Sequence, residues 1–240
     1  MDWHPVRKGW VAPLDFIPIA EEAGLVIELG RSAITAAIDA AIVLRRALND
    51  PDLFVTVNLS ASELIEDDLP AFIDRTLRAR GLEPDGLVVE MTESVLLSDP
   101  ETAIERLGAL RAAGLRIALD DFGTGYSSLS YLGRMPVDIL KLAKPFVDAV
   151  GSNSREERLL GSLLTLGSDL GLIVVAEGVE RLEQVEALER LGCQLGQGFV
   201  FSPPRPLAEL LGHYRFAPPM SRRGAPALAA SRSADWAGFR

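Results

Sequence analysis

The chain has 240 residues, 48% of them hydrophobic and 24% charged, with a formal net charge of −10. That hydrophobic share supports a real core, and α/β barrels of this size are usually single domains. The acidic balance argues against binding DNA or RNA polymers, which requires a basic face.

No apolar run is of membrane-spanning length and no secretory leader is legible, so the reading is a cytoplasmic chain without a membrane segment. The single Cys193 rules out an intramolecular disulfide and reads as a small buried apolar residue.

In chain order, residues 1–13 read as a loop containing His4-Pro5 and Gly9. A short helix over 16–23 can end at Gly24, and a strongly periodic helix over 32–48 ends at the turn Asn49-Asp50-Pro51. A strand over 54–58 follows, then a helix over 62–80 with Gly81 as its cap. Next come a strand over 87–93, a helix over 100–113 stopped by Gly114, and a strand over 116–121. A glycine-rich loop over 122–128 leads into a short helix near 129–132. The pattern continues with a strand over 138–141, a helix over 156–170 ended by Gly171 and a strand over 172–177. A helix over 182–191 and a last strand over 198–201 complete the regular part. Residues 217–240 are rich in Pro, Ala, Ser and Arg without period and read as a disordered tail, which leaves 1–216 as the domain.

Short β-branched-rich runs alternating with amphipathic helices imply an α/β fold, a TIM-like (β/α) barrel of parallel strands. Six barrel strands are legible, whereas a closed barrel has eight. The expectation is therefore a barrel with its first one or two strands missing, which leaves unpaired edges.

In such barrels the C-terminal strand ends converge on one mouth. Here the apolar runs end at Asn58, Glu90, Asp120-Asp121, Lys141 and Glu177, and Gln197 opens the last. A mouth collecting these groups points to a divalent-metal hydrolase. Asp120 and Asp121 are adjacent carboxylates that can face different ions, because successive strand side chains diverge. Glu90 ends its strand and suits a metal, and Asn58 is either a neutral ligand through its amide oxygen or a turn former. Glu93, three residues past Glu90, either bonds the backbone of the glycine loop or starts a helix. Lys141 either orients water and offsets developing negative charge or makes a structural ion pair. Glu177 is a candidate general base. Glu180 supports it from beyond Gly178 or begins the next helix. Gln197 could read a base or phosphate edge, while Phe199 and Phe201 read as core. His4 and His213 form no zinc or triad pattern with other residues.

Taken together, His4-Pro5, Phe16-Ile17-Pro18, Val57-Asn58-Leu59-Ser60, Glu90-Met91-Thr92-Glu93-Ser94, the stretch 120–129, Ala176-Glu177-Gly178-Val179-Glu180 and Gly196-Gln197-Gly198 resemble the EAL domain. This is the bacterial phosphodiesterase domain for cyclic di-GMP. The resemblance runs from about residue 3 to residue 210. It implies a modified TIM-like barrel holding two Mg²⁺ or Mn²⁺ ions and cleaving cyclic di-GMP to linear pGpG. By residue, it implies that Asn58, Glu90 and Asp120 are metal ligands and that Asp121 serves the second metal. Lys141 corresponds to the lysine near the attacking water, and Glu177 to the proposed base, with a further role as metal ligand. Glu180 and Gln197 correspond to substrate-side or supporting groups. Glu93 corresponds to the glutamate that steadies the loop after Asp121, a loop linked in the family to homodimer formation.

Two departures from the family pattern stand out. The Glu-Ala-Leu triplet would lie just upstream of Trp3-His4-Pro5, so the resemblance implies a site one metal ligand short. The family's Lys-x-Asp is here Lys141-Leu142-Ala143. Both departures favour the alternative of a catalytically impaired module that binds cyclic di-GMP or a partner protein.

Overall fold

The computed structural model describes residues 11–93, 95, 99–123, 132–151, 155–193 and 195–216. The expectations for residues 1–10, for most of the glycine-rich loop and the short helix after it, and for the tail 217–240 lie outside the described residues.

Among the described residues six strands form one sheet in simple chain order, every neighbouring pair parallel. They are β1 (Val55–Asn58), β2 (Leu87–Thr92), β3 (Arg116–Phe122), β4 (Ile139–Leu142), β5 (Ile173–Glu177) and β6 (Leu195–Gln197). Nine helices are described: α1 (Pro13–Glu22), α2 (Val26–Leu48), α3 (Ala61–Leu64), α4 (Leu69–Arg80), α5 (Pro100–Ala112), α6 (Lys144–Asp148), α7 (Arg155–Asp169), α8 (Leu182–Arg190) and α9 (Leu207–Phe216). Parallel strands joined by helical crossovers make a curled α/β sheet of the TIM-barrel kind.

The two faces of the sheet divide the work by the two-residue strand period. Leu87, Val89, Ile117, Leu119, Leu140, Leu142 and Ala176 belong to the large core shared with the helices. Val88, Ala118 and Ile139 form a second, smaller cluster with Phe54, Ile173 and Val175. Two residues further along each of β2 to β5 stand Glu90, Asp120, Lys141 and Glu177. One face therefore carries an apolar floor with a polar rim at its C-terminal end.

Several element boundaries differ from the sequence reading, each for a local reason. Helix α2 begins at Val26 rather than near 32, because Val26 and Gly30 extend the buried stripe Ile34, Ile38, Ala41 and Leu44. Asn49 ends it in the left-handed conformation, with φ of 50°. The helix expected over 62–80 is two helices, with Pro70 in the first turn of α4, a position where proline's missing N–H costs nothing. Helices α6 and α9 were not anticipated.

The last strand is Leu195–Gln197, not 198–201. At Gly198 the chain comes so close to the backbone of Val179 that a β-carbon would collide with it. The chain then turns, with Phe201 N donating to Gly198 O and Val200 N to Val179 O. In that turn Phe199 and Phe201 are exposed rather than core.

Candidate active site at the strand ends

The C-terminal ends of four consecutive strands meet around one ammonium group. Nζ of Lys141 on β4 lies 3.0 Å from Oε1 of Glu90 on β2, 3.0 Å from Oδ1 of Asp120 on β3 and 2.7 Å from Oε1 of Glu177 on β5. Lys141 and Glu90 are buried, and Asp120 and Glu177 are largely covered. One positive charge thus faces three carboxylates with little solvent between them.

The electrostatics follow from that crowding. Burial pulls the Lys141 ammonium down, but Glu90, Glu177 and Asp120 together outweigh it and hold the lysine above its ordinary range. Burial raises Glu90, against the pull of Lys141. Burial also pushes Glu177 up to about 7, opposed by Lys141 and reinforced by Asp120.

Asp120 and Asp121 do not diverge as successive strand residues would. The β3–β4 register shifts between Leu119 and Phe122, and Asp121 takes a left-handed φ of 54°, rare for a non-glycine residue. Such a bulge re-aims side chains next to a site. Here it brings carboxylate oxygens of Asp120, Asp121 and Glu177 within 4.8 Å of one another. Asp121 N also donates to Oδ1 of Asp120 at 3.0 Å. A cluster of hard anionic oxygens of this kind fits a divalent cation such as Mg²⁺ or Mn²⁺.

The chain that carries this arrangement is recognisable as a whole. A family model for the EAL domain matches residues 1–204. The chain belongs to the EAL domain family. It is 36% identical over 211 residues to the bifunctional diguanylate cyclase/cyclic di-GMP phosphodiesterase MucR of Pseudomonas aeruginosa, covering 87% of this chain and 30% of MucR. To the oxygen sensor protein DosP of Escherichia coli it is 38% identical over 210 residues, covering 88% of this chain and 26% of DosP. It spans only about a quarter to a third of the length of such curated relatives. Among solved structures, the MucR phosphodiesterase in complex with c-di-GMP superposes with a TM-score of 0.80 at 36% identity, covering 87% of this chain and 84% of that one. The EAL enzyme Bd1971 in its cAMP- and cyclic-di-GMP-bound form gives 0.82 at 31% identity, covering 88% and 58%.

The remaining candidate residues of this EAL chain fall at different distances from the cluster. Asn58 ends β1 in register with Glu90 and is exposed. Gln197 ends β6 in register with Glu177 and is exposed. Glu93 is buried, and its Oε2 accepts from Gly123 N at 3.2 Å, tying the end of β2 to the turn after Asp121. Glu180 stands apart in a half-exposed pair with Lys144, at 2.9 Å. The segment after Asp121 to which homodimer formation was ascribed lies mostly outside the described residues.

Two supporting residues escaped the sequence reading. Thr56 on β1 is close enough to the Glu90 carboxylate to help hold its pKa down. It sits two residues before Asn58, and strand periodicity alone places both on one face. Buried Gln184 accepts from Glu180 N at 2.9 Å and Arg181 N at 3.0 Å, and donates to Val147 O at 3.2 Å, which pins the loop after Glu177. Nothing in its sequence context distinguishes it from an ordinary helix-start residue. Ala143 stands where the family usually has an acid and is buried. Lys141 has its three carboxylate partners without an acid there.

Proposed function

We propose that this chain is a metal-dependent phosphodiesterase domain that hydrolyses cyclic di-GMP to linear pGpG. The observation that supports it is Lys141 held among Glu90, Asp120 and Glu177, with Asp121 drawn in by the bulge. A stable fold has no need of so much negative charge in one covered place, since burying ions is costly unless something else pairs them.

In this reading Asn58, Glu90, Asp120, Asp121 and Glu177 hold two Mg²⁺ or Mn²⁺ ions. Bound there, the ions supply Lewis acidity and lower the pKa of attacking water. Glu177, beside Lys141 and within reach of Asp120 and Asp121, is the group that would accept that water's proton. Lys141 carries its positive charge at any physiological pH and offsets the negative charge that builds on the phosphate oxygens. Gln197, an amide on the exposed end of β6, meets a phosphate or base edge. Glu93 holds the turn that follows Asp121 at Gly123. Glu180, in its half-exposed pair with Lys144, is taken as a supporting or substrate-side group.

The same reading takes residues 1–216 as one domain with 217–240 as its tail, homodimeric through the loop after Asp121, and cytoplasmic. No helix among the described residues is long and apolar enough to cross a membrane.

The test is turnover by the purified chain with Mn²⁺ or Mg²⁺, with pGpG followed by chromatography. Metal-dependent product that EDTA abolishes, and that falls by about 10²-fold or more in Glu177→Ala, supports the proposal. Turnover unchanged in Glu177→Ala refutes the assigned mechanism. Absence of product with retained cyclic di-GMP binding replaces it with the impaired binding module.

A further inference from the structure

Behind the mouth, on the side of β1, another acid is buried away from the cluster around Lys141. Glu63, on the short helix α3, is 5% exposed. Its Oε2 accepts from Ser60 N at 2.9 Å and from Ser60 Oγ at 2.6 Å. Ser60 Oγ in turn accepts from Glu63 N at 3.3 Å. Its other oxygen, Oε1, is buried with no hydrogen-bond partner. The carboxylate lies against Gly30 of α2, where any β-carbon would occupy its place. An apolar side chain would fill this position without the cost of burying a half-satisfied acid. A capping hydrogen bond alone is available from an exposed glutamate.

What the acid holds accounts for its burial there. Ser60 is two residues past Asn58, and Leu59 between them donates from its N to Glu90 O at 2.8 Å. The turn Asn58-Leu59-Ser60 is therefore fastened at one end to the strand bearing Glu90 and at the other to a carboxylate wedged against α2. We infer that Glu63 is a positioning residue. Acting through Ser60, and with Gly30 leaving the room, it fixes the turn that presents Asn58 to the mouth. Its catalytic consequence, though not the positioning itself, rests on the phosphodiesterase reading.

The experiment compares the parent chain with Glu63→Gln, Glu63→Ala and Gly30→Ala. Two readouts are used: the side-chain amide resonances of Asn58 in ¹⁵N-labelled protein with Ser60 N–H exchange, and Mn²⁺ affinity by calorimetry beside pGpG turnover. Glu63→Gln retains an oxygen for Ser60 and leaves the Asn58 resonances and the exchange rate unchanged. Glu63→Ala and Gly30→Ala shift or broaden those resonances and speed exchange. They also weaken Mn²⁺ binding and turnover by about 10-fold or more, the usual loss when a ligand's support is removed. Asn58 resonances that do not move in a folded Glu63→Ala chain overturn the inference. So does a variant that only melts earlier, with metal affinity intact. If only Gly30→Ala fails to fold, the glutamate pair decides alone. If Asn58 moves as expected but the parent shows neither metal binding nor turnover, the positioning stands and the phosphodiesterase reading fails.

Discussion

Replacing Lys141 with methionine tests the site through stability alone. The substitution keeps a long unbranched stem and removes the ammonium that faces Glu90, Asp120 and Glu177 at 2.7–3.0 Å. Removing one partner of a buried ion pair costs about 3–5 kcal/mol, because the other charge is left uncompensated. Glu177, at about 7, already shares its proton near neutral pH, so part of the unpaired charge can be relieved by protonation. The expected loss is therefore at the low end, about 3 kcal/mol. For a domain of this size that is a fall in Tm of roughly 6–12 °C. The assay is scanning calorimetry of the chelator-treated protein at pH 7.5 and at pH 5. The difference between parent and Lys141→Met narrows at pH 5, where the carboxylates take up protons instead. It also narrows on adding Mn²⁺, which replaces the lost positive charge. A Lys141→Met chain melting within about 2 °C of the parent at pH 7.5 would refute the reasoning, since it would mean the three carboxylates do not need their lysine.

Two further outcomes follow from the same geometry. Glu177 has a folded-state pKa near 7 against an ordinary value of 4.5, so the folded chain binds the extra proton. Its contribution to stability is fully present below about 4.5 and is lost as pH rises through about 7. In urea unfolding, Glu177→Gln gains stability relative to the parent between pH 5 and pH 8, and parallel pH profiles would contradict this. Glycine substitutions separate close approach from open space. Gly198→Ala places a β-carbon against the Val179 backbone, which cannot swing aside, and lowers stability by about 1–3 kcal/mol. Gly108→Ala meets nothing on α5 and raises stability by about 0.5–1 kcal/mol. Calorimetric shifts of the same sign in both variants would refute the contrast.

The rim of the mouth was legible because strand period and strand order are both one-dimensional. An apolar run followed by a polar residue names the residue at a strand end. In a parallel sheet of simple order, five such ends must be neighbours. Glu90, Asp120, Lys141 and Glu177 needed nothing more. What the sequence hid depends on contacts between distant segments. The close turn at Gly198 is forced by Val179, so the aromatic run after it reads as a strand and is not one. The bulge in β3 leaves no mark beyond the glycines that follow, yet it decides whether Asp121 points away from Asp120 or toward Glu177. Glu63 looks like an ordinary capping-box acid until Gly30, 33 residues earlier in the sequence, is seen to hold it.

The arrangement of charge at the strand ends differs from that of a structural ion pair. Directly beneath the rim, on the same face and two residues back along each strand, stand Val88, Ala118, Ile139 and Val175. The sheet therefore packs apolar side chains on this face without difficulty, and continuing them one step further would serve stability better. Instead the chain gathers three acids around one lysine and draws in a fourth through a strained left-handed residue. A purely structural pair would balance one acid against one base, and this cluster leaves an excess of negative charge that only bound cations or protons can satisfy. The recovery of Lys141→Met in Mn²⁺ depends on that excess, whereas the loss in chelator does not, and a balanced structural pair would give the loss without the recovery.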